Sequence, residues 1–172
     1  MSRAVLRTGA TIRYHAQPEI PVQTVAEHAW GVAALLVRWF KEDLTVNLLA
    51  AAVVHDSGEC DVGDIPSPTK KKFPELRKEL AKLEHAQMEQ LGIADYEGQL
   101  SRHEYALLKL CDMLEGYFYT GKAVLRYNEG MTTLLCWHEM IKDHIDANLI
   151  AIPAGLRAEI EAVLRLAKHQ GN

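Results

Sequence analysis

The amino-acid sequence predicts an all-α fold, and three observations carry that expectation. Apolar residues recur at three- and four-residue steps through most of the chain, the period of a helix face. Thr24-Val-Ala-Glu27 and Ser101-Arg-His-Glu104 each read as a capping box, in which a hydroxyl and a glutamate satisfy free backbone N–H groups at a helix start. Strand-like alternation is confined to Val5–Ile12. At 172 residues the chain has the length of one domain, and residues 1–172 are read as a single compact bundle of about six helices. A chain this long buries roughly two thirds of the surface its unfolded form exposes, so a core forms without disulfides or a structural metal. Any metal site therefore serves chemistry.

The elements follow in order. Val25, Ala29, Val32, Ala33, Leu36, Val37 and Phe40 line one face of a helix over 25–41, with His28 in its first turns. Thr45 caps a second helix over 46–59, whose stretch Leu48–Val54 is apolar all round and is expected to be buried on every side. His55 and Asp56 lie toward its end. Gly63, Pro66 and Pro68 break the pattern and predict a rigid loop, and loops on rigid scaffolds commonly carry function. Pro74 suits a first turn and Gly92 the residue after a helix end, giving a charged, exposed helix over 75–91. The Ser101 box opens a helix that runs through Tyr105, Leu108, Asp112 and Glu115 toward Gly121, with Asp112 among apolar neighbours. Helices over 132–149 and, after Pro153, 154–169 complete the bundle.

Composition removes several function classes. With 48% hydrophobic residues, 24% charged residues and a formal net charge of −4, the chain lacks the extended cationic surface that duplex nucleic acid requires. Its longest apolar run, Leu48–Val54, is far short of the roughly 18 residues of a membrane span. Cys60, Cys111 and Cys136 form no CxxC, follow no signal-peptide pattern, and read as reduced thiols of a cytoplasmic protein. Eight histidines are many for this length, and their positions decide what they mean.

His55-Asp56 ends a helix that is expected to be buried, and a carboxylate taken out of water needs a partner. Alone, the pair suits a helix C-terminus, where a protonatable histidine and an exposed aspartate are ordinary. His28 in the preceding helix and Asp112 in a later apolar one change that reading, because four imidazole and carboxylate donors then lie on three helices. Such a set suits a divalent transition metal or magnesium and leaves positions open for water and phosphate oxygens. An open site is catalytic rather than structural.

The order His28, His55-Asp56, Asp112 resembles the H…HD…D signature of the HD-domain metal-dependent phosphohydrolases, with residues of about 13–119 taking part. Within that superfamily the likeness is greatest to the HD-domain 5′-deoxynucleotidases (YfbR-like) and the related small phage-type deoxynucleotide hydrolases. Thr24-Val-Ala-Glu-His28 is similar to that family's first metal-ligand helix. His55-Asp-Ser-Gly-Glu-Cys-Asp-Val-Gly-Asp64 matches its HDxxExxxxD run in spacing, and Ile65-Pro-Ser-Pro-Thr-Lys70 resembles its proline-rich loop with a following lysine.

The resemblance implies an HD-domain bundle with His28, His55, Asp56 and Asp112 as ligands of a divalent ion, whether Mn²⁺, Co²⁺, Mg²⁺ or Zn²⁺. It implies Glu59 and Asp64 as acid/base residues and Arg13, fifteen residues before His28, as the phosphate holder. Each role has a physical reason. A carboxylate beside water activated by a metal can orient it or take its proton. Glu59 shares a helix face with His55 if the helix continues, and a guanidinium fork matches phosphate oxygens bidentately. After the arginine, the bacterial deoxynucleotidases typically carry a tryptophan that guards the sugar 2′ position; here Tyr14 stands there, followed by His15. Tyr14 and Lys70 are therefore assigned to substrate binding, and Lys70-Lys-Lys72 offers amines for a triphosphate. His85, His103, His138, His144 and His169 read as surface or helix-end residues. Trp30, Trp39, Trp137 and the Tyr117-Phe-Tyr119 cluster read as core or subunit contacts, with Tyr117 and Tyr119 as lesser candidates for a base pocket.

The expected function is metal-dependent release of phosphate from deoxynucleoside 5′-monophosphates, in the cytoplasm (of the host, if phage-encoded). The alternative is hydrolysis of a deoxynucleoside triphosphate such as dATP to deoxynucleoside and triphosphate. A third reading is a non-catalytic nucleotide-binding module, which commonly loses a ligand or a catalytic carboxylate; all are present here. The expected partner is a small deoxynucleotide, with neither duplex nucleic acid nor membrane, and the amphipathic helices beyond Asp112 allow a homo-oligomer.

Overall fold

The structure is a computed structural model and describes residues 2–127 and 129–170. Its described elements are α1 (Ser2–Thr8), β1 (Ile12–Arg13), β2 (Gln23–Thr24), α2 (Val25–Trp39), α3 (Val46–Val54), α4 (Ser67–Lys72), α5 (Pro74–Leu91), α6 (Arg102–Tyr127), α7 (Met131–Asn148) and α8 (Ala154–Gln170). Short 3-10 turns at Ser57–Cys60 and Glu97–Gln99 join them. The all-α expectation holds: the only described strands, β1 and β2, pair over two residues each.

Both capping boxes form. The Thr24 hydroxyl accepts from the Glu27 backbone N–H at 3.1 Å, and Glu27 accepts from the Thr24 backbone N–H at 2.7 Å. Ser101 and Glu104 make the same exchange at 3.2 and 2.9 Å. Two more of the free N–H groups of α2, those of Val25 and Ala26, donate to the carbonyls of Thr11 and Gly9. The N-terminal segment is thus tied to the start of α2, which sets Arg13 beside the helix that carries His28. Thr24→Ala removes one arm of the box and is expected to cost about 1 kcal/mol. A urea titration reads this as a lower midpoint at unchanged slope.

The core lies around α6. Leu107, Leu108, Leu110, Cys111 and Leu114 of α6 are fully buried, as are Val32 and Leu36 of α2, Leu48 and Ala51 of α3, Leu134 of α7 and Leu156 of α8. The buried Tyr117 hydroxyl donates to the Ile160 carbonyl at 2.8 Å and ties α6 to α8. No helix among the described residues is long and apolar enough to cross a membrane.

Several expected boundaries move. Of the stretch Val5–Ile12 only Ile12 is in a strand: Val5–Thr8 end α1, where the Thr8 hydroxyl meets that of Ser57 at 3.3 Å, and a turn follows. The loop expected through Pro68 ends early: Pro68 sits in the first turn of α4, where its missing N–H costs nothing, so this proline starts a helix instead of breaking one. The helix expected over 46–59 stops at Val54, with His55 as its cap and the Ser57–Cys60 turn following. Gly58 lies against α5 so closely that a Cβ there would stand 2.5 Å from the Glu84 carbonyl oxygen. Nor is α3 buried on every side. Leu48, Ala51 and Ala52 face the core, but Val46 and Val53 are 84% and 52% exposed, because an all-apolar pattern carries no information about direction.

Candidate active site

The four donors singled out in the sequence converge at the junction of α2, α3 and α6. His28 stands one turn into α2 and is completely buried. His55 and Asp56 follow the last turn of α3, where the end of the regular helix turns both side chains toward α2. Asp112 comes from the middle of α6. The His28 Nε2 lies 3.1 Å from Asp112 Oδ1, 3.2 Å from His55 Nε2 and 3.7 Å from Asp56 Oδ2. The His55 Nε2 lies 3.5 Å from Asp56 Oδ2. His28, His55 and Asp112 each offer a ligand atom within 4.8 Å of the other two.

Hydrogen bonds on the far side of each ring set the tautomers. His55 Nδ1 is 3.0 Å from the Ala52 carbonyl, which only accepts, so the proton sits on Nδ1 and the Nε2 lone pair faces the cluster. His28 Nδ1 is 2.5 Å from Glu115 Oε2, which also only accepts, so Nδ1 carries a proton here too and Nε2 is the nitrogen that faces the cluster. Burial would lower the His28 pKa, but the bonds to Asp112 and Glu115 outweigh it and raise the value to about 9. Burial would raise the Asp56 pKa, but His55, Arg13 and His28 bring it down to about 2. Asp112 lies well below the usual carboxylate range for a similar reason: its bond to His28 and the charges of His28, His55 and Lys109 override burial. The two Nε2 atoms and two carboxylates thus converge around one positive charge, which the imidazolium proton supplies. That donor set also fits a divalent cation in the proton's place.

The other assigned residues surround the cluster. Arg13, half-buried on β1, donates to Asp56 Oδ2 at 2.6 Å; its Nε has no partner among the described residues. Burial opposes its charge, but Asp56 and Asp112 more than restore it. Glu59, on the 3-10 turn, accepts from Lys70 Nζ at 3.1 Å through Oε1, while its buried Oε2 has no partner among the described residues. Burial and the nearby Asp56 push the Glu59 pKa up to about 8, against the pull of Lys70. Lys70 also stands 3.5 Å from Glu84. Asp64 follows Gly63, whose φ of +78° makes the turn, and its charge acts on both Arg13 and Glu59. Beside His55 opens a cavity of about 480 Å³ between α3 and α5, with Gly58, Glu84, Met88, Tyr96 and Glu97 in its wall.

Tyr14 stands apart from the donors. Held in the left-handed region at φ 60°, it stacks on Tyr119, centroids 5.5 Å apart, in a small cluster with Ile20 and Ala123, and the Arg13 guanidinium lies over its ring, 5.9 Å from the centroid. A non-glycine residue at positive φ is costly and is kept where its surroundings hold it; here Tyr119 on one side and the Arg13 guanidinium on the other hold the ring. Tyr117 is wholly buried, so it does not line a base pocket. Trp30, expected in the core or at a contact, is 75% exposed on α2 and so is not part of the core.

The sequence reading missed Glu115, Lys109 and Gln23. Glu115 and Lys109 lie one turn to either side of Asp112 on α6, so helical spacing alone placed them on its face. Lys109, 3.5 Å from Glu97, keeps its charge against burial because Asp112 and Glu97 hold it. Gln23 carried no local signal.

The family model of the YfbR-like 5′-deoxynucleotidases matches residues 6–129. The chain belongs to that family. The matched range of this YfbR-like protein contains all nine assigned residues, from Arg13 to Asp112, and ends before α7. The chain is also 30% identical over 102 residues to a dATP triphosphohydrolase of cyanophage S-2L; the match covers 56% of this chain and 56% of that protein, so it spans little more than half of either. Two solved structures share the fold. The cyanophage S-2L HD phosphohydrolase DatZ, bound to dA and one catalytic Zn²⁺ ion, superposes with a TM-score of 0.71 at 23% identity, covering 98% of this chain and 97% of that one. A protein from Pyrococcus horikoshii OT3 gives 0.68 at 19%, covering 96% and 99%.

Proposed function

We propose that this YfbR-like protein is a divalent-metal-dependent phosphohydrolase that releases phosphate from deoxynucleoside 5′-monophosphates. The observation that carries the reading is the convergence of His28, His55 and Asp112 within 4.8 Å, with Asp56 paired to Arg13 at their edge. Family membership, and the Zn²⁺ and dA of the DatZ structure, support it.

His28, His55, Asp56 and Asp112 would hold the ion, which supplies Lewis acidity at a phosphoryl oxygen and makes hydroxide available near neutral pH. Arg13 moves from its pairing with Asp56 onto phosphate oxygens, and Lys70 neutralises charge that develops as the P–O bond breaks. Glu59, deprotonated once the ion's positive charge is beside it, would take the proton of the attacking water. Asp64, on the turn after Gly63, gives a proton to the leaving 5′-alkoxide, so the products are a deoxynucleoside and inorganic phosphate. Holding water and phosphate in line supplies much of the remaining acceleration. The reaction is assigned to the cytoplasm, consistent with free Cys60, Cys111 and Cys136. The exposed Trp30 and Val37 of α2 give a homo-oligomer a face on which to form.

A second reading, triphosphate release from a deoxynucleoside triphosphate, is favoured by the named activity of the phage relative and by Lys70, Lys71 and Lys72 in one turn of α4. Product analysis decides between them. With Mn²⁺, Co²⁺, Mg²⁺ or Zn²⁺ added to chelator-treated protein, orthophosphate from dAMP and the other monophosphates is the expected product. Inorganic triphosphate from dATP, with monophosphates untouched, selects the second reading. No turnover of either class with any metal returns the chain to a nucleotide-binding module.

A further inference from the structure

The buried His28 ring is held by one helix at both of its nitrogens. On α6, Asp112 meets Nε2 at 3.1 Å, and Glu115, one turn further, meets Nδ1 at 2.5 Å. Both oxygens of Glu115 are in use: Oε2 accepts from His28, and Oε1 accepts from the Gln23 side-chain amide at 2.7 Å. Gln23, on β2, is itself 2% exposed. Gly31 lies three residues after His28, on the same side of α2, and a Cβ there would stand 2.6 Å from Glu115 Cγ. Only glycine leaves the carboxylate room to reach the ring.

We propose that Glu115 is the positioning residue of the metal centre. Carried by Gln23 and admitted by Gly31, it fixes the His28 tautomer and aims Nε2 at the ion. The inference rests on the metal-dependent reading above. A histidine that donates its outer N–H to a carboxylate is oriented before an ion arrives and becomes a stronger donor, and losing such a partner typically costs 10–100-fold in metal affinity. Without Glu115, the ring can rotate or carry its proton on Nε2, and either change removes the lone pair from the site.

Two variants test this by titration of chelator-stripped protein with Zn²⁺ and Mn²⁺, alongside thermal unfolding of the metal-free forms. Glu115→Gln keeps the shape but removes the charge, and the variant that remains folded is expected to bind about 10–100-fold more weakly, while its metal-free form melts lower because the buried His28 loses an anionic partner. Gly31→Ala alters no polar group and introduces a better helix former, yet it displaces Glu115 and is expected to weaken binding in the same direction. A structural role alone would lower the metal-free melting temperature and leave the affinity of the folded protein unchanged. Wild-type affinity in either folded variant overturns the proposal on its own. A wild-type protein that binds neither ion overturns the metal-dependent reading and this inference with it.

Discussion

Asp56→Asn lowers phosphate release from deoxynucleoside monophosphates at least about a hundredfold with every divalent ion, the scale of losing one charge-stabilising group from an active site. Asparagine preserves the size of the side chain, so the loss reports charge. Asp56 lies within 3.7 Å of His28 and 3.5 Å of His55, and 2.6 Å from Arg13. On the proposed reading its removal takes a negative ligand from the ion and leaves the Arg13 guanidinium, the proposed phosphate holder, without its resting partner. Stability falls as well, because the half-buried Arg13 loses its directly paired carboxylate and keeps only the more distant Asp112 and Asp64; the cost is on the order of 3 kcal/mol, at the low end for a broken buried pair because both side chains keep some exposure. The Asp56 pKa is depressed to about 2 from 3.8, so its stabilisation is complete above that ordinary value and is lost as pH falls through about 2. The variant lacks this acid dependence. Steady-state assays and acid unfolding check the two limbs, and undiminished turnover would sink the site.

Glu59→Gln has the opposite sign for activity and stability. Turnover drops about 10²–10⁴-fold, the usual contribution of a positioned acid/base group, because the amide cannot take a proton from water. Yet the metal-free variant is more stable than wild type at alkaline pH. Glu59 has a folded-state pKa near 8 against an ordinary 4.5, raised by burial and Asp56. Between these values the folded state holds a proton that the unfolded state has released, so wild-type stability declines as pH rises from 4.5 through about 8. Glutamine has no such decline. Melting curves of the chelator-treated pair should coincide near pH 4 and diverge above pH 7 with the variant higher. A variant that melts lower at pH 8.5 would contradict the burial account of this carboxylate.

What the sequence made legible was mostly local. Capping boxes at Thr24 and Ser101 announced α2 and α6 because hydroxyl and glutamate act within one turn. The His28, His55-Asp56 and Asp112 set stood out because acids and imidazoles are rare among apolar neighbours. The features that escaped depend on contacts between distant segments. After α3 ends at Val54 the chain packs at Gly58 against the backbone of α5 at Glu84, 26 residues further on. Pro68 was read as a breaker, but its neighbours make it a helix start. Tyr14 occupies the expected position in sequence, yet a positive φ turns its ring into the Tyr119 stack. Glu115 was within reach of helical spacing from Asp112, whereas Gln23, 92 residues from it, was not.

The central claim is that the cluster at the junction of α2, α3 and α6 holds a functional ion. The most direct measurement is the metal content of the protein after incubation with excess Zn²⁺ or Mn²⁺ and desalting. The account predicts about one ion per chain for wild type and a large deficit for Asp56→Asn. A wild-type protein that carries no ion yet hydrolyses deoxynucleotides in the presence of a chelator would contradict it.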